Sequence, residues 1–112
     1  MLSMRSYEDA VKVLGRAKRE LGEILSAFEF LDKNSLDLVL QHFPKVRDPF
    51  EKKSNMYVVI ETMGGDEQHD QEKIGNFLGN LLEVPSRCVS GVSFSLLSCS
   101  YPQLAITYCT IV

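Results

Sequence analysis

From Val84 to the end of the chain there is no acidic residue, and Arg87 is the lone Lys or Arg. Side chains that carry chemistry are scarce throughout. The two histidines, His42 and His69, are far apart in sequence, and the three cysteines, Cys88, Cys99 and Cys109, fall only in the last part. Without a C-x-x-C pair or a histidine near a cysteine, neither a zinc site nor a disulfide framework is supported; free thiols in a reducing compartment are expected. There is no G-x-G-x-x-G or Walker pattern, so Gly64-Gly65-Asp66 reads as a turn and not a phosphate loop. No serine sits in the strained turn that a Ser-His-Asp nucleophile needs. The opening MLSMRSYEDA has no apolar run for a signal peptide and turns acidic too soon for a transit peptide, so no targeting segment is expected. Basic residues are few and interleaved with carboxylates, and the formal charge is −3. That argues against nucleic acid as a partner, because phosphate binding needs clustered Lys and Arg.

What is present suits one soluble domain: 112 residues, 45% of them hydrophobic. Such a chain buries roughly two thirds of its unfolded surface, enough for a core without staples. Ser6 and Asp9 have the spacing of a helix start, and Tyr7, Ala10, Val11, Leu14, Ala17 and Leu21 recur at helical period. Gly22 is placed to close that helix in the left-handed conformation. The period then changes to two. Ile24, Phe28 and Phe30 share one face of a strand with Ser26; Leu25, Ala27, Glu29 and Leu31 share the other, so both faces are largely apolar. Asp32 or Asn34 caps a second helix along Leu36, Val39, Leu40 and Phe43, which Pro44 stops. Lys45 to Asn55 is a loop on composition. Met56 to Thr62 reads as a second strand, and Ile74, Phe77, Leu78, Leu81 and Leu82 as the stripe of a third helix with an acidic first turn.

After Glu83 the composition shifts to Ser, Cys, Thr and apolar residues. Residues 1–83 are therefore read as one body and 84–112 as an uncharged tail, strand-like or disordered. Val92 to Leu96 alternates like a strand and Ala105 to Val112 is β-prone, with a turn at Tyr101-Pro102. The uncharged run from Cys88 is long enough to raise a membrane question, but its serines and Pro102-Gln103 argue against a spanning helix. A poorly protected strand pair is the expectation. The order helix, strand, helix, strand, helix implies an α+β architecture with helices packed on a small antiparallel or mixed sheet. Two strands alone are marginal in water, so self-association by strand pairing, or a protein partner at an exposed sheet edge, is expected.

The run Leu21-Gly22-Glu23-Ile24-Leu25-Ser26-Ala27-Phe28-Glu29-Phe30 resembles the start of the C-terminal, substrate-side domain of the FAD-linked oxidase family, in its FAD-dependent D-2-hydroxyglutarate dehydrogenase branch. Ile60-Glu61-Thr62, Gly64 and His69-Asp70 match a second stretch, and the resemblance covers roughly Leu2 to Leu82. It implies a partial ferredoxin-like fold, incomplete at both ends, with most of the leading strand missing before Met1. It also implies a mitochondrial flavoprotein parent that oxidises D-2-hydroxyacids to 2-oxoacids using FAD. The family's metal- and substrate-binding motifs match nothing here, so no catalytic, cofactor-binding or metal residue is assigned, and the chain alone is expected to hold no FAD.

On the sheet, the resemblance implies that the face bearing Ala27, Glu29, Tyr57 and Glu61 looks toward the substrate chamber, while helices cover Ile24, Phe28, Phe30, Met56, Val58 and Ile60. Against this stands the plainer reading that the two carboxylates are paired with cations or solvated at a sheet rim. His42 and His69 are read as helix-end surface residues. The leading functional reading is a fragment of a flavin-dependent oxidoreductase, inactive by itself. The alternative is a non-enzymatic interaction module using exposed sheet edges. A self-contained enzyme using Glu29 and Glu61 is the weakest reading, since two carboxylates sharing a proton need a buried setting.

Overall fold

The computed structural model describes residues 1–83 and 88–93, together with the backbone of 95–98 and 107–111. The elements in order are β1 (Leu2–Met4), α1 (Tyr7–Glu20), β2 (Leu25–Asp32), α2 (Lys33–His42), β3 (Met56–Gly64), α3 (Glu67–Glu83), β4 (Val89–Val92), β5 (Ser95–Ser98) and β6 (Thr107–Ile111). β3 is the centre of the sheet. β2 runs antiparallel along one side of it, with Phe28 opposite Ile60 and Leu31 opposite Tyr57. On the other side its first residues pair with β1, Leu2 opposite Val58, and its last residues pair with β6, Ile60 opposite Ile111. β4 adds antiparallel to the outer edge of β1, and β5 to β6. β1 and β2 are thus parallel to each other with β3 between them and α1 crossing over, the split β-α-β of a ferredoxin-like sheet in the order β4-β1-β3-β2. The family fold is α+β as expected, with α2 inserted between β2 and β3.

Local chemistry explains the helix ends. Ser6 Oγ accepts from the Asp9 backbone N–H at 3.2 Å, and Asp32 Oδ1 accepts from Ser35 N–H at 2.7 Å. Asp66 Oδ1 does the same for His69 N–H at 2.9 Å. Each cap satisfies an amide that the helix leaves free. Gly22 serves a different purpose from the one expected. No glycine described has a positive φ, but a Cβ on Gly22 would lie 2.7 Å from the Lys18 carbonyl oxygen. The chain turns so tightly there that only a hydrogen fits.

The main core lies between the sheet and α1 plus α3. Leu2, Met4, Ala10, Val13, Ala17, Leu21, Ile24, Val58, Ile60, Ile74, Phe77, Leu81 and Cys88 form it. The buried stripe of α1 is rotated from the expected one: Val13 is in the core, whereas Tyr7 and Val11 are exposed. Tyr7 instead packs on Phe30, ring centroids 5.5 Å apart, beside the edge of β2. Leu25 also changes sides. The β2–β3 register shifts between Leu25 and Ala27, and this irregularity puts Leu25 opposite Thr62 and against the main core. A smaller core of Met1, Leu36 and Tyr57, with Leu31, Leu40, Phe50 and Val59 around it, occupies the other sheet face under α2. Helices therefore cover both faces in part. In the tail, the strand expected at 92–96 is divided between β4 and β5, which pair with different partners; the turn at Tyr101-Pro102 lies outside the described residues.

Candidate functional site

The β2–β3 pairing gathers the expected chamber residues on one face. Ala27 is directly opposite Glu61, Glu29 opposite Val59, and Leu31 opposite Tyr57. Glu29 and Glu61 are consequently diagonal neighbours, the separation at which long side chains across a sheet still interact. Their surroundings differ. Glu29 is exposed, Ala27 and Glu61 are half-buried, and Tyr57 is fully buried. Among the described residues neither glutamate has an ion-pair partner. Solvent reaches Glu29, and Glu61 stands toward the end of β3 that pairs with β6, opposite Thr110.

Tyr57 belongs to a different environment. Phe50 stacks on its ring at a centroid distance of 5.3 Å and an interplanar angle of 22°, and its hydroxyl oxygen accepts from Ser54 N–H at 2.9 Å. The loop between α2 and β3 thus lids Tyr57, and the residue lines no open chamber in this chain. Next to it three serines that sequence reasoning passed over come together. Ser3 Oγ lies 2.7 Å from Ser90 Oγ and is also hydrogen-bonded to Ser54 Oγ; Ser90 donates to the Ser3 carbonyl at 3.2 Å. The hint in the sequence was the alternation Leu2-Ser3-Met4, which marks Ser3 as pointing away from the main core. This cluster floors an open pocket of about 460 Å³ with Phe50, Lys52, Lys53 and Gly91 on its walls. Lys53 pairs with Asp37 at 2.5 Å, and that bond is the main reason its ammonium titrates above its ordinary value.

The remaining candidates are scattered. His42 Nδ1 contacts the Leu38 carbonyl oxygen of its own helix at 2.9 Å, and His69 Nδ1 lies 3.3 Å from Asp70 Oδ1. Both histidine residues are exposed, and the structure brings neither to the glutamates. Asp70 is buried, 2% exposed, and its Oδ2 has no hydrogen-bond partner among the described residues. Cys88 is buried and its thiol donates to Asp9 Oδ1 at 3.3 Å, the largest of the effects holding the Asp9 carboxyl below its ordinary value. Glu23, bonded to Lys73, and Asp32, bonded to Ser35, are lowered in the same way. Among the described residues no group of three or more His, Cys, Asp or Glu could hold a metal ion, and no helix is long and apolar enough to cross a membrane.

Sequence comparison places this scaffold. Residues 1–87 match the family described as FAD linked oxidases, C-terminal domain. The chain belongs to that family. It is 52% identical over 82 residues to the mitochondrial D-2-hydroxyglutarate dehydrogenase of Arabidopsis thaliana, covering 73% of this chain and 15% of that protein. The D-2-hydroxyglutarate–pyruvate transhydrogenase of Saccharomyces cerevisiae is 40% identical over 75 residues, 67% of this chain and 15% of that one. The mitochondrial D-2-hydroxyglutarate dehydrogenase of Danio rerio is 37% identical over 81 residues, 72% and 15%. The chain spans about 15% of the length of these curated relatives. No solved structure matches.

Proposed function

We propose that this chain is a piece of the substrate-side domain of a mitochondrial, flavin-dependent oxidoreductase that oxidises D-2-hydroxyacids of the D-2-hydroxyglutarate kind to 2-oxoacids. The family match over residues 1–87 carries the reading. The structure adds a folded sheet whose partly open face presents Ala27, Glu29 and Glu61 from two neighbouring strands. In an assembled parent those residues line one wall of the chamber, where a carboxylate orients polar groups of a substrate or repels a wrongly placed acid.

The residues on this face do not by themselves fit a flavin dinucleotide. A pyrophosphate needs backbone N–H groups at a helix terminus or cationic side chains. The ionisable groups here are carboxylates, and the described pockets open elsewhere, on the Phe50 loop, between α1 and Leu81, and on α2. FAD chemistry belongs to the parent family, and this chain alone is proposed to hold none.

The experiment is a graft. The matching stretch of the Arabidopsis relative is replaced by residues 1–83 of this chain, and flavin content and D-2-hydroxyglutarate-dependent dye reduction are measured. The chimaera should keep both, while the 112-residue chain purified alone should be colourless and inert. A folded, flavin-loaded chimaera that no longer turns over D-2-hydroxyglutarate, yet accepts an unrelated donor, would overturn the assignment. Turnover of any hydroxyacid by the isolated chain would overturn the view that it is a non-catalytic piece.

A further inference from the structure

β2 is hydrogen-bonded along one side. Among the described residues it pairs with β3 and with no strand on its outer edge. Natural edges are blunted by proline, lysine or a bulge. From Leu25 to Leu31 there is neither proline nor lysine, and the irregularity sits at one end, which leaves Ala27 to Asp32 in regular register. Apolar side chains that the fold leaves uncovered flank this edge. On the α1 face Phe30, 42% exposed, lies between Phe28 and Tyr7, ring centroids 5.6 and 5.5 Å away, and Tyr7 is itself 57% exposed. On the opposite face Leu36 of α2 is buried in the smaller core. Asp37, about 100° further round that helix, reaches Lys53 in the loop that bonds β1 through Ser54. Val39 is on the flank turned away from that loop, and it is exposed.

We propose that the outer edge of β2 binds the same edge of a second copy of this chain, strand against strand, antiparallel about a two-fold axis. The order of residues in β2 suits pairing with itself. With Phe28 opposite its own counterpart, Glu29 comes opposite Ala27, Phe30 opposite Ser26 and Leu31 opposite Leu25. Each long or aromatic side chain thus meets a small or apolar one, and no carboxylate directly opposes another. Phe28 and Phe30 of both copies, with both Tyr7 rings, form one aromatic row across the junction. The eight residues of β2, at about 3.4 Å each, make an edge about 27 Å long. With a layer of side chains and helix about 10 Å deep on each face, the footprint is about 500 Å² per copy, or about 1,000 Å² in all, the lower limit of a specific interface. Between copies that each carry a formal charge of −3, such an interface gives a weak dimer that dissociates in the micromolar range and tightens as salt is raised. The proposal does not rest on the catalytic reading of the parent.

Sedimentation equilibrium of the full chain, from about 1 µM to about 1 mM, tests it across the range in which weak complexes dissociate. The chain should pass from monomer to dimer in that range, and at lower concentration when salt is added. Two lysine substitutions that add the same charge should act in opposite directions. Ala27→Lys sets an ammonium opposite the partner's Glu29 twice in each dimer, and should tighten association by about three-fold or more. Within its own chain the new ammonium also has Glu61 across β3, so the fold gains no unpaired charge. Phe30→Lys interrupts the aromatic row twice and should weaken association by about ten-fold or more. Should either lysine variant fail to fold, Phe30→Ser decides alone, with a weakening of the same order expected. A monomer at every concentration would overturn the proposal, and so would two lysine variants that shift dissociation in the same direction. Association unchanged to within about two-fold in the Phe30 variant would place the contact on another surface, such as the uncharged tail, and overturn the assignment to β2.

Discussion

Gly64, the last residue of β3, offers a sharp test of how closely the sheet and α3 are held. The Asp70 side chain folds back from the first turns of α3 onto this glycine. A Cβ built at position 64 would sit 1.9 Å from Asp70 Oδ2, 2.4 Å from Cγ and 2.5 Å from Oδ1. Ordinary contacts begin near 3.4 Å, so the carboxylate must retreat by more than an ångström. It is buried, and its aspartate stem is short. The backbone is not at fault, since Gly64 has no positive φ, and the cost of Gly64→Ala is purely steric. Overpacking of this kind costs about 1–3 kcal/mol, and so severe an overlap belongs in the upper part of that range. Asp70→Ala should be far milder, because among the described residues Oδ2 has no partner to lose and Oδ1 has only the 3.3 Å contact to His69. The double variant puts a methyl into the vacated space. Urea unfolding of the four proteins should give a favourable coupling of about 1–3 kcal/mol at an unchanged m-value. In thermal melts each kcal/mol shifts the midpoint by about 4–8 °C. Additivity of the two single changes to within about 0.5 kcal/mol would refute the packing argument.

Two further outcomes follow from burial and charge. Phe77, 1% exposed in the main core, should cost about 3–5 kcal/mol when cut to alanine, whereas Phe43→Ser, on a side chain 59% exposed, should stay within about 0.5 kcal/mol; equal effects in urea melts would contradict the assigned core. For acid, the carboxyls of Asp9, Glu23 and Asp32 are held below their ordinary values of 3.8, 4.5 and 3.8 by bonds from Cys88, Lys73 and Ser35. A depressed folded value means that the unfolded chain binds protons first, so their contribution is complete above those ordinary values and is lost as pH falls below them. The urea midpoint should drop on acidification through that window, and less steeply in Asp9→Asn; a midpoint that rises there would reverse the assigned sign.

Element types along the body could be read from periodicity because each element has a single dominant period. Ser6, Asp32 and Asp66 announce helix starts through side chains that bond free amides, a local event needing no tertiary partner. Rotation of an element about its own axis is a tertiary matter. Tyr7 and Val11 looked like core by spacing, but the edge of β2 gives Tyr7 the Phe30 ring to lean on and leaves the interior to Val13. The irregularity at Leu25 similarly inverted one residue of an otherwise regular alternation. At the candidate chamber face, the two-residue repeat correctly grouped Ala27, Glu29, Tyr57 and Glu61. It could not show that Phe50, from a loop set down as mere surface, would cover Tyr57.

Sequence alone determined the membership of residues 1–87 in a flavoprotein domain family and the placing of helix and strand along the body, because both depend on residue identities at short range. Only the tertiary structure decided what closes the sheet. Three residues of β1 and four of β4 carry no signal of which strand they pair with, yet they meet because β3 holds β1 in place and Ser3, Ser54 and Phe50 leave room for a Ser-Gly pair beside it. Complementarity between segments 87 residues apart in the chain is a property of packing, and no local pattern encodes it.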